Sequence, residues 1–481
     1  KALEKEGWFR TLHSCCYRSL GVSEGELLVG TAGDTAWLRQ AIDDEKVRMG
    51  GRDSDDDYFN CPSSYGPAEK ALAMWDASRN RLCPLERVWS VCHRTDTRCP
   101  YLDEALGVVT RYERAKKRDG RIDFCDLLMK FSGRRFTGDH RSPFEEVPPD
   151  GEFPVLPVWL HDEAQDMSLL TSLVFKRLSQ FSQFVYLMGD AYQAIYNWCG
   201  SDGSIFSDWK VAKEEVLPVP YRCSANILSL ADRIMPPRPF TAKNPYGVVK
   251  RLHLEEALVT LKATEDTLVL ARTNEIARIA SKHLDDANIP WRSTKTPVGG
   301  KVAPAREAGV AALLTLHLGG YIDGDATWRM LQLMPSKALG TPLFERGTMK
   351  WYDDEENRRS ASAVNLGALQ GMGATQACCN LIASGEYKNV LDEKAAKMAA
   401  MAHVHGMGVV GSPKVRVGTL HSSKGQEADH GVLVNVLPYP TLLAMEETEG
   451  MAEERRVWYT GVTRAKGRLT IAENEKEGFP L

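Results

Sequence analysis

A short apolar run that ends in acidic residues constrains the fold of this chain more than any other feature. The run covers residues 155–160, and residues 161–166 then read His-Asp-Glu-Ala-Gln-Asp. Buried strands of parallel sheets have such continuous apolar sequences, and open α/β sheets bind ligands at the carboxyl ends of their strands. The segment therefore predicts a buried strand followed by carboxylates that could hold Mg²⁺ and orient a water. Taken alone, an Asp-Glu pair is more simply a solvated acidic turn.

Length and composition limit the class of protein. At 481 residues the chain is too long for one core, so two to four domains are expected. Its hydrophobic fraction of 43% and charged fraction of 26% are ordinary for a globular protein. An apolar run of about 18 residues is missing, so we predict no membrane span. The net charge of −4 excludes a globally basic nucleic-acid coat but leaves room for a locally basic groove.

The cysteines do not form a convincing metal motif. Eleven cysteines without a secretory signal indicate reduced thiols in a cytoplasm-like compartment. Cys83, Cys92, His93 and Cys99 could ligate zinc, but their spacing lacks the paired C-x₂-C arrangement of zinc sites. We therefore interpret them as scattered buried thiols.

The order of predicted elements indicates α/β domains with helical insertions. Residues 11–120 are mostly helical and polar, with a solvated acidic loop at 53–57. A second apolar run at 184–188 ends in Gly-Asp, and a helix-length segment at 169–178 separates it from the first, which predicts a βαβ unit. An extended Leu-Pro-Val-Pro at 217–220 marks a domain boundary. Further strands are predicted at 268–271, 415–420, 432–436 and 469–472, and a helical insertion at about 291–411.

Four more segments carry groups suited to nucleotides or nucleic acids. In residues 189–198, Gln193 could sense a phosphate and Trp198 could stack on a base, although buried aromatics more often belong to a core. Tyr221 and Arg222 could stack on a nucleobase and contact a phosphate. Residues 419–427 offer hydroxyl, His and Lys side chains for phosphate contacts. Residues 453–465 form an amphipathic helix with Arg464 near its end. Taken singly, the last two segments would be a loop and a charged helix.

Together and in this order, these segments resemble the UvrD/Rep-like family of superfamily 1 DNA helicases. The resemblance covers residues 11 to about 472 and includes two weaker signatures, Thr-Leu-His-Ser at 11–14 and Asp-Phe-Cys-Asp-Leu-Leu at 123–128. It implies two RecA-like P-loop NTPase domains with parallel sheets, each with an inserted helical subdomain. The corresponding boundaries are 1–14 and 121–216 for the first domain, 15–120 for its insertion, 217–290 and 413–481 for the second domain, and 291–412 for its reduced insertion.

The resemblance also implies roles for individual residues. Asp162 would hold Mg²⁺, Glu163 would activate the attacking water, and Gln193 would contact the γ-phosphate. Arg222 and Arg464 would act as arginine fingers. The implied nucleotide contacts further include Tyr221 on adenine, Glu427 on the ribose, and Gly425. The implied contacts to single-stranded DNA are Thr11, His13, Trp198 and His421.

By the same resemblance, the expected activity is ATP-dependent movement 3′-to-5′ on single-stranded DNA and at duplex junctions. The expected cofactors are ATP and Mg²⁺, and the expected location is the cytoplasm of a bacterial or phage-infected cell, on the nucleoid. The pathway, such as repair or replication, does not follow from the sequence. Cys199 departs from the family, which often has Arg there.

A larger departure is that no G-x-x-x-x-G-K-[ST] phosphate loop occurs in the 481 residues. Residues 30–35 read Gly-Thr-Ala-Gly-Asp-Thr, which lacks the Lys and follows the Thr-Leu-His-Ser segment instead of preceding it. Three explanations are open: a fragment with an incomplete first domain, the larger half of a split enzyme whose loop lies on a separate polypeptide, or a non-hydrolysing DNA-binding relative. We favour the first two, because the other ATP-contacting positions are intact, and expect weak or absent ATPase from this chain alone.

Overall fold

A computed structural model describes residues 10–44, 47, 66–95, 99–295, 304–475 and 478–481. The predicted acidic loop at 53–57 and residues 1–9 of the predicted first segment lie outside these residues. The fold is α/β, as predicted. The strands are β1 (Arg134–Phe136), β2 (Phe144–Glu146), β3 (Val158–His161), β4 (Phe184–Leu187), β5 (Val248–His253), β6 (Thr267–Ala271), β7 (Trp291–Ser293), β8 (Lys337–Ala338), β9 (Thr341–Pro342), β10 (Val415–Thr419), β11 (Ala428–Asn435) and β12 (Ala465–Glu473).

Helices account for most of the remaining regular structure. The helices are α1 (Leu12–Leu20), α2 (Ala32–Ile42), α3 (Pro67–Arg81), α4 (Leu85–Thr95), α5 (Leu102–Asp119), α6 (Phe124–Ser132), α7 (Leu169–Ser179), α8 (Gly203–Ser207), α9 (Ala225–Ile234), α10 (Leu254–Val259), α11 (Asn274–Asp286), α12 (Pro304–His317), α13 (Gly324–Leu333), α14 (Thr348–Asp353), α15 (Glu355–Ser360), α16 (Leu366–Gly371), α17 (Gln376–Ser384), α18 (Glu393–His405), α19 (Met407–Gly411), α20 (Tyr439–Ala444) and α21 (Thr448–Val462). None of them is long and apolar enough to cross a membrane.

A six-stranded parallel sheet forms the centre of the second half of the chain. Its strand order is β5-β12-β11-β6-β10-β7. Side chains alternate across the sheet, so Leu268 and Leu270 pack in one core with Trp458 of α21, while Val269 packs in the other with Leu284 of α11. All five residues of β6 are buried. The four strands predicted in this region are confirmed. The sequence of β6 is almost entirely apolar, as expected for a strand covered on both faces, whereas β10 includes the buried Arg416.

The two outer strands of this sheet were not predicted. β5 is largely exposed, and β7 has only three residues. Edge strands have one neighbour and less apolar burial, so their sequences lack a continuous apolar run. Residue 291, the predicted start of the helical insertion, is the first residue of β7. The helices that follow, α12 to α19, share a core of their own that includes Leu313, Tyr352 and Ile382.

The predicted βαβ unit is present in the first half of the chain. Strands β3 and β4 pair in parallel, and α7 connects them. The expectation of a fully buried strand is wrong, however. Trp159 packs among the helices, whereas Val158 and Leu160 point to the opposite face, where Leu160 is 60% exposed. In the described part of the chain, helices cover only one face of this pair, and a parallel sheet normally has both faces covered.

Helices α2 to α5 enclose another core, in which Trp75 is fully buried. Cys83 and Cys92 are buried in that core, which supports their interpretation as packed thiols. In the described residues, the one group of His, Cys or carboxylate side chains close enough to share an ion is Glu113, Asp123 and Asp126. A lysine side chain already neutralises these carboxylates, because Lys116 Nζ lies 2.8 Å from Asp123 and 2.7 Å from Asp126.

This ion cluster ties helices α3, α5 and α6 together. Arg79 Nη1 lies 2.7 Å from the Asp123 carboxylate. Burial raises the pKa of Asp126 to about 6, and the neighbouring Asp123 adds to this. Burial acts on Asp123 in the same direction, but Arg79 and Lys116 outweigh it and hold the pKa of Asp123 below its usual range. Breaking such a buried network by removing one partner is strongly destabilising, so we assign it a structural role.

Candidate nucleotide and DNA site

The predicted carboxylate pair lies in the loop that follows β3. Glu163 has a left-handed backbone, with φ of 54°, and its N–H donates to Asp162 Oδ1 at 2.9 Å. Gln165 Nε2 donates to Glu163 Oε2 at 2.6 Å, which fixes the orientation of that carboxylate. A non-glycine residue with positive φ stores strain, and such positions are concentrated at functional sites. Both carboxylates are exposed, so they remain accessible to a ligand.

The end of β4 approaches this loop closely. The N–H of Ala164 donates to the carbonyl oxygen of Met188 at 2.9 Å, and the N–H of Asp190 donates to Gln165 Oε1 at 3.0 Å. A Cβ atom on Gly189 would lie 2.3 Å from Gln165 Oε1. The glycine of the Gly-Asp turn is therefore required for the close approach of the two strand ends.

Gln193 is held between the two halves of the chain. Its Nε2 donates to Asp190 Oδ2 at 2.8 Å, and its Oε1 accepts from Arg464 Nη2 at 2.6 Å. Asp190 is also 2.7 Å from Arg238 Nη1. The Gln193 amide thus has both of its ends fixed, one by a carboxylate of the first half and one by an arginine of the second.

Arg464 follows α21 and is buried. Its Nε donates to the carbonyl oxygen of Thr460 at 3.0 Å, which anchors the guanidinium to the end of the helix. Burial lowers the pKa of Arg464 to about 10, and nearby Arg222 contributes to the shift. The guanidinium therefore stays protonated at neutral pH and directs its charge toward Gln193.

Lys424 joins the same cluster, although it was not predicted as a site residue. Residues 423–426 form a type II turn. Gly425 has φ of 76°, and the N–H of Gln426 donates to the carbonyl oxygen of Ser423 at 2.8 Å. Lys424 Nζ forms an ion pair with Asp166, donates to the carbonyl oxygen of Gln193 at 3.0 Å, and lies 3.4 Å from Glu163 Oε2. The sequence placed Lys424 among phosphate-contacting groups, and no local pattern could pair it with a carboxylate 258 residues away.

A second ion cluster contains two other predicted residues. Arg222 Nε lies 2.8 Å from Glu427 Oε2, and Lys466 Nζ lies 2.9 Å from Glu427 Oε1. Hydrogen bonds from Lys466 and from Arg222 lower the pKa of Glu427. The neighbouring Tyr221 is 73% exposed, with Lys243 Nζ 4.8 Å from its ring centroid. An exposed aromatic ring beside fixed charges is suited to stacking on a planar ligand.

The four predicted DNA contacts lie in three segments. Thr11 caps helix α1 by accepting from the N–H of Ser14 at 3.2 Å, and His13 contacts the edge of Phe124 with ring centroids 5.9 Å apart. Trp198 lies in a 3-10 turn after β4. His421 is buried in the 3-10 turn after β10. The contact that the structure shows for Thr11 is thus a local one, the cap of helix α1.

Two further contacts join the first half of the chain to helix α21. Asn197 Nδ2 donates to Glu453 Oε1 at 2.9 Å, and the rings of Tyr192 and Tyr459 meet edge to face at 5.5 Å. Neither Asn197 nor Tyr192 was predicted as a site residue, because polar and aromatic side chains in a loop do not reveal a distant partner.

Comparisons with known proteins identify the family of the chain. The UvrD/REP helicase N-terminal domain family matches residues 2–213, and the UvrD-like helicase C-terminal domain family matches residues 386–476. Together these two matches cover more than half of the chain. The second match includes Lys424 and Arg464, and the first includes Glu163 and Gln193.

Individual relatives are helicases. ATP-dependent DNA helicase PcrA of Bacillus subtilis is 22% identical, over 96% of this chain and 72% of the relative. DNA helicase II of Haemophilus influenzae is 23% identical, over 77% and 62%. A probable DNA helicase II homolog of Mycoplasma pneumoniae is 30% identical over 147 residues, which are 28% of this chain and 19% of the relative. The matches thus span between 19% and 72% of the relatives' own length. The chain belongs to the UvrD/Rep-like family of DNA helicases.

Proposed function

We propose that this chain forms most of an ATP-dependent motor that moves 3′-to-5′ on single-stranded DNA and unwinds duplex junctions. The observation that carries the proposal is the meeting of Glu163 and Gln193 from the first half with Lys424 and Arg464 from the second. Phosphoryl transfer is catalysed largely by positioned charges around the transferred group. Carboxylates on one side and a guanidinium on the other are the charges that such a site needs.

The carboxylates fit a hard divalent cation, because exposed oxygen ligands at a strand end are what Mg²⁺ prefers. We propose that Asp162 holds Mg²⁺ and that Glu163 accepts a proton from the attacking water. Bound ATP with Mg²⁺ would supply the reactive phosphoryl group. Arg222 and Arg464 would then stabilise the negative charge of the transition state. Gln193 would contact the γ-phosphate and couple its presence to DNA binding.

Residues around Arg222 fit the remainder of a nucleotide. We propose that Tyr221 stacks on the adenine ring and that Glu427 accepts a hydrogen bond from the ribose, with Gly425 allowing close backbone approach. For DNA, we propose phosphate contacts from Thr11, His13 and His421 and base stacking on Trp198. Phosphate contacts and stacking tolerate any sequence, as a translocating motor requires. We place this motor in the cytoplasm, on the nucleoid.

We propose that the phosphate loop of this motor comes from outside these 481 residues. We propose that a segment carrying it covers the exposed face formed by Val158, Leu160, Phe184 and Tyr186, which are 42–60% exposed. Apolar side chains on a bare parallel sheet are suited to further strands or a helix. A loop on such a segment would lie beside Asp162 and Glu163. The loop belongs either to the same gene product or to a separate polypeptide.

The test compares this chain with a form completed by a segment that carries a phosphate loop. We expect the isolated chain to bind single-stranded DNA with little or no ATPase activity, and the completed form to hydrolyse ATP when DNA is added. Glu163→Gln should then reduce hydrolysis by about 10²-fold or more while ATP binding persists. If the completed form binds ATP and DNA but does not hydrolyse ATP, the proposal is wrong.

A second candidate is a non-hydrolysing DNA-binding or regulatory protein derived from a helicase. It is favoured by one observation, the lack of a phosphate-loop motif in the sequence. It predicts single-stranded DNA affinity that falls with salt and does not respond to nucleotide. Measuring the affinity of the completed form with and without a non-hydrolysable ATP analogue separates the two candidates, since a motor must couple the two ligands.

A further inference from the structure

Lys424 connects the two halves of the site in a way that its position in the sequence does not suggest. Its side chain is only 7% exposed. Its ammonium contacts Glu163, Asp166 and the carbonyl oxygen of Gln193, and it lies 5.1 Å from the ring centroid of Tyr196. All of these groups belong to the first half of the chain, whereas Lys424 is attached to the sheet of the second half.

The cost of burial gives this contact its importance. A buried ammonium is costly unless anionic groups and hydrogen-bond acceptors satisfy it. Here the three donors of Lys424 face two carboxylates and one carbonyl oxygen, so the charge is fully compensated. Separating the two halves would require both Lys424 and Asp166 to exchange these partners for water.

The backbone of Lys424 is held rigidly within the second half. The type II turn places it between β10 and β11, and Gln426 Nε2 braces the turn by donating to the carbonyl oxygens of Ser422 at 2.9 Å and Thr294 at 3.2 Å. The Lys424 ammonium therefore moves with the six-stranded sheet. Any rotation of one half against the other would therefore change the distances from Lys424 Nζ to Glu163, Asp166 and Gln193.

We propose that Lys424 is an interdomain latch that holds the two halves of the nucleotide site together before nucleotide binds. Asp166 is its firm partner, because that carboxylate is mostly buried and is contacted directly. Glu163 is the exchangeable partner, because its side chain is 55% exposed and lies farther away. A divalent cation held by Asp162 would repel the ammonium from the neighbouring Glu163, and Lys424 would then keep only its contacts to Asp166 and Gln193. The latch rests on these contacts, and its value for ATP hydrolysis rests on the function proposed above.

The test uses the 481-residue chain without nucleotide. Lys424→Met keeps the length of the side chain and removes its charge, and Lys424→Arg keeps the charge. The matched control is Lys397→Met, which removes an exposed lysine paired with Asp285 and Glu393 inside the second half. Small-angle scattering measures the separation of the halves, and amide exchange followed by mass spectrometry measures protection at residues 161–167 and 189–199.

We expect Lys424→Met to increase the radius of gyration and to speed exchange in both segments by about tenfold or more, since one partner of a buried pair is lost. Lys424→Arg and the control should behave like the unaltered protein. Unchanged scattering and exchange in Lys424→Met would overturn the latch. Failure of the completed protein to hydrolyse ATP would leave this result intact and would affect only the proposed function.

A second variant covers the case in which Lys424→Met does not fold. Asp166→Asn leaves the lysine in place and removes its firm partner, so we expect the same opening. The effects of the two variants should not add in the double variant, because both break one interaction. Additive effects, or Asp166→Asn with the protection of the unaltered protein, would show that Lys424 does not act through Asp166.

Discussion

Arg464 Nη2 donates a hydrogen bond of 2.6 Å to Gln193 Oε1, across 271 residues of sequence. The guanidinium comes from the end of helix α21, and the amide comes from the turn after β4. Gln193 is also bonded to Asp190, whose N–H donates to Gln165 in the loop after β3. Because Gln165 donates to Glu163, a change at Arg464 can reach that carboxylate. This contact gives a physical path by which a ligand between the two halves would affect both.

The charge of Arg464 can be tested directly. We expect Arg464→Met to lower DNA-stimulated ATP hydrolysis by the completed protein by about 10³-fold, which is the effect of removing an arginine finger, with a much smaller change in ATP affinity. The matched control is Arg455→Met, which changes an exposed arginine on the preceding helix α21. Steady-state hydrolysis and binding of a fluorescent ATP analogue provide the measurements. An equal loss in both variants would contradict the role.

Trp198 offers a test of the DNA contact. We expect Trp198→Ala to weaken binding of single-stranded oligonucleotides by about 1–3 kcal/mol, the usual value of stacking on one base. Trp351→Ala, a partly exposed tryptophan in the helices after β7, serves as the control. Fluorescence anisotropy at two salt concentrations measures the affinity. If Trp198→Ala changes the dependence of the binding constant on salt concentration but not the affinity extrapolated to high salt, Trp198 acts through phosphate contacts. The stacking assignment would then be wrong.

His430 in strand β11 gives the protein a defined response to acid. Burial lowers the pKa of His430 to about 4, and its Nε2 is 2.9 Å from Thr470 Oγ1. Because the unfolded state binds a proton more readily, the contribution of His430 to stability is complete above about pH 6.5 and falls as the pH drops toward 4. That loss is about 3 kcal/mol, since one pKa unit corresponds to about 1.4 kcal/mol. We expect His430→Gln to flatten the dependence of the denaturation midpoint on pH between 6.5 and 4, and an unchanged slope would exclude this group.

The exposed face of the β3–β4 pair leads to a prediction about completion. In the 481-residue chain, Leu160→Ser should change the free energy of unfolding by less than about 0.5 kcal/mol, because Leu160 is mostly exposed. In the completed protein the same change should cost about 1–3 kcal/mol, because the side chain would then be covered. Trp159→Ala, on the buried face, should destabilise both forms by about 3–5 kcal/mol. Equal effects of Leu160→Ser in both forms would show that the added segment does not cover this face.

Much of the fold could be read from the order of residues. The central strands β6, β10, β11 and β12 were predicted from short segments rich in apolar residues, and most residues of these strands are buried. The exposed edge strand β5 escaped prediction, because partial burial leaves no such run. For β3 the prediction was too buried. Its sequence is that of a strand covered on both faces, whereas one of its faces is exposed in the described part of the chain.

For the site, the order of residues was enough to predict the chemical groups and the strand ends on which they lie: Asp162 and Glu163 after β3, Gln193 after β4, and Gly425 in the turn before β11. Which of these groups meet could not be predicted without the three-dimensional fold. The pairing of Lys424 with Asp166 and of Arg464 with Gln193 depends on how two different sheets pack against each other. Local sequence patterns report burial and backbone geometry over a few residues, whereas contacts between domains depend on the surfaces that the finished folds present.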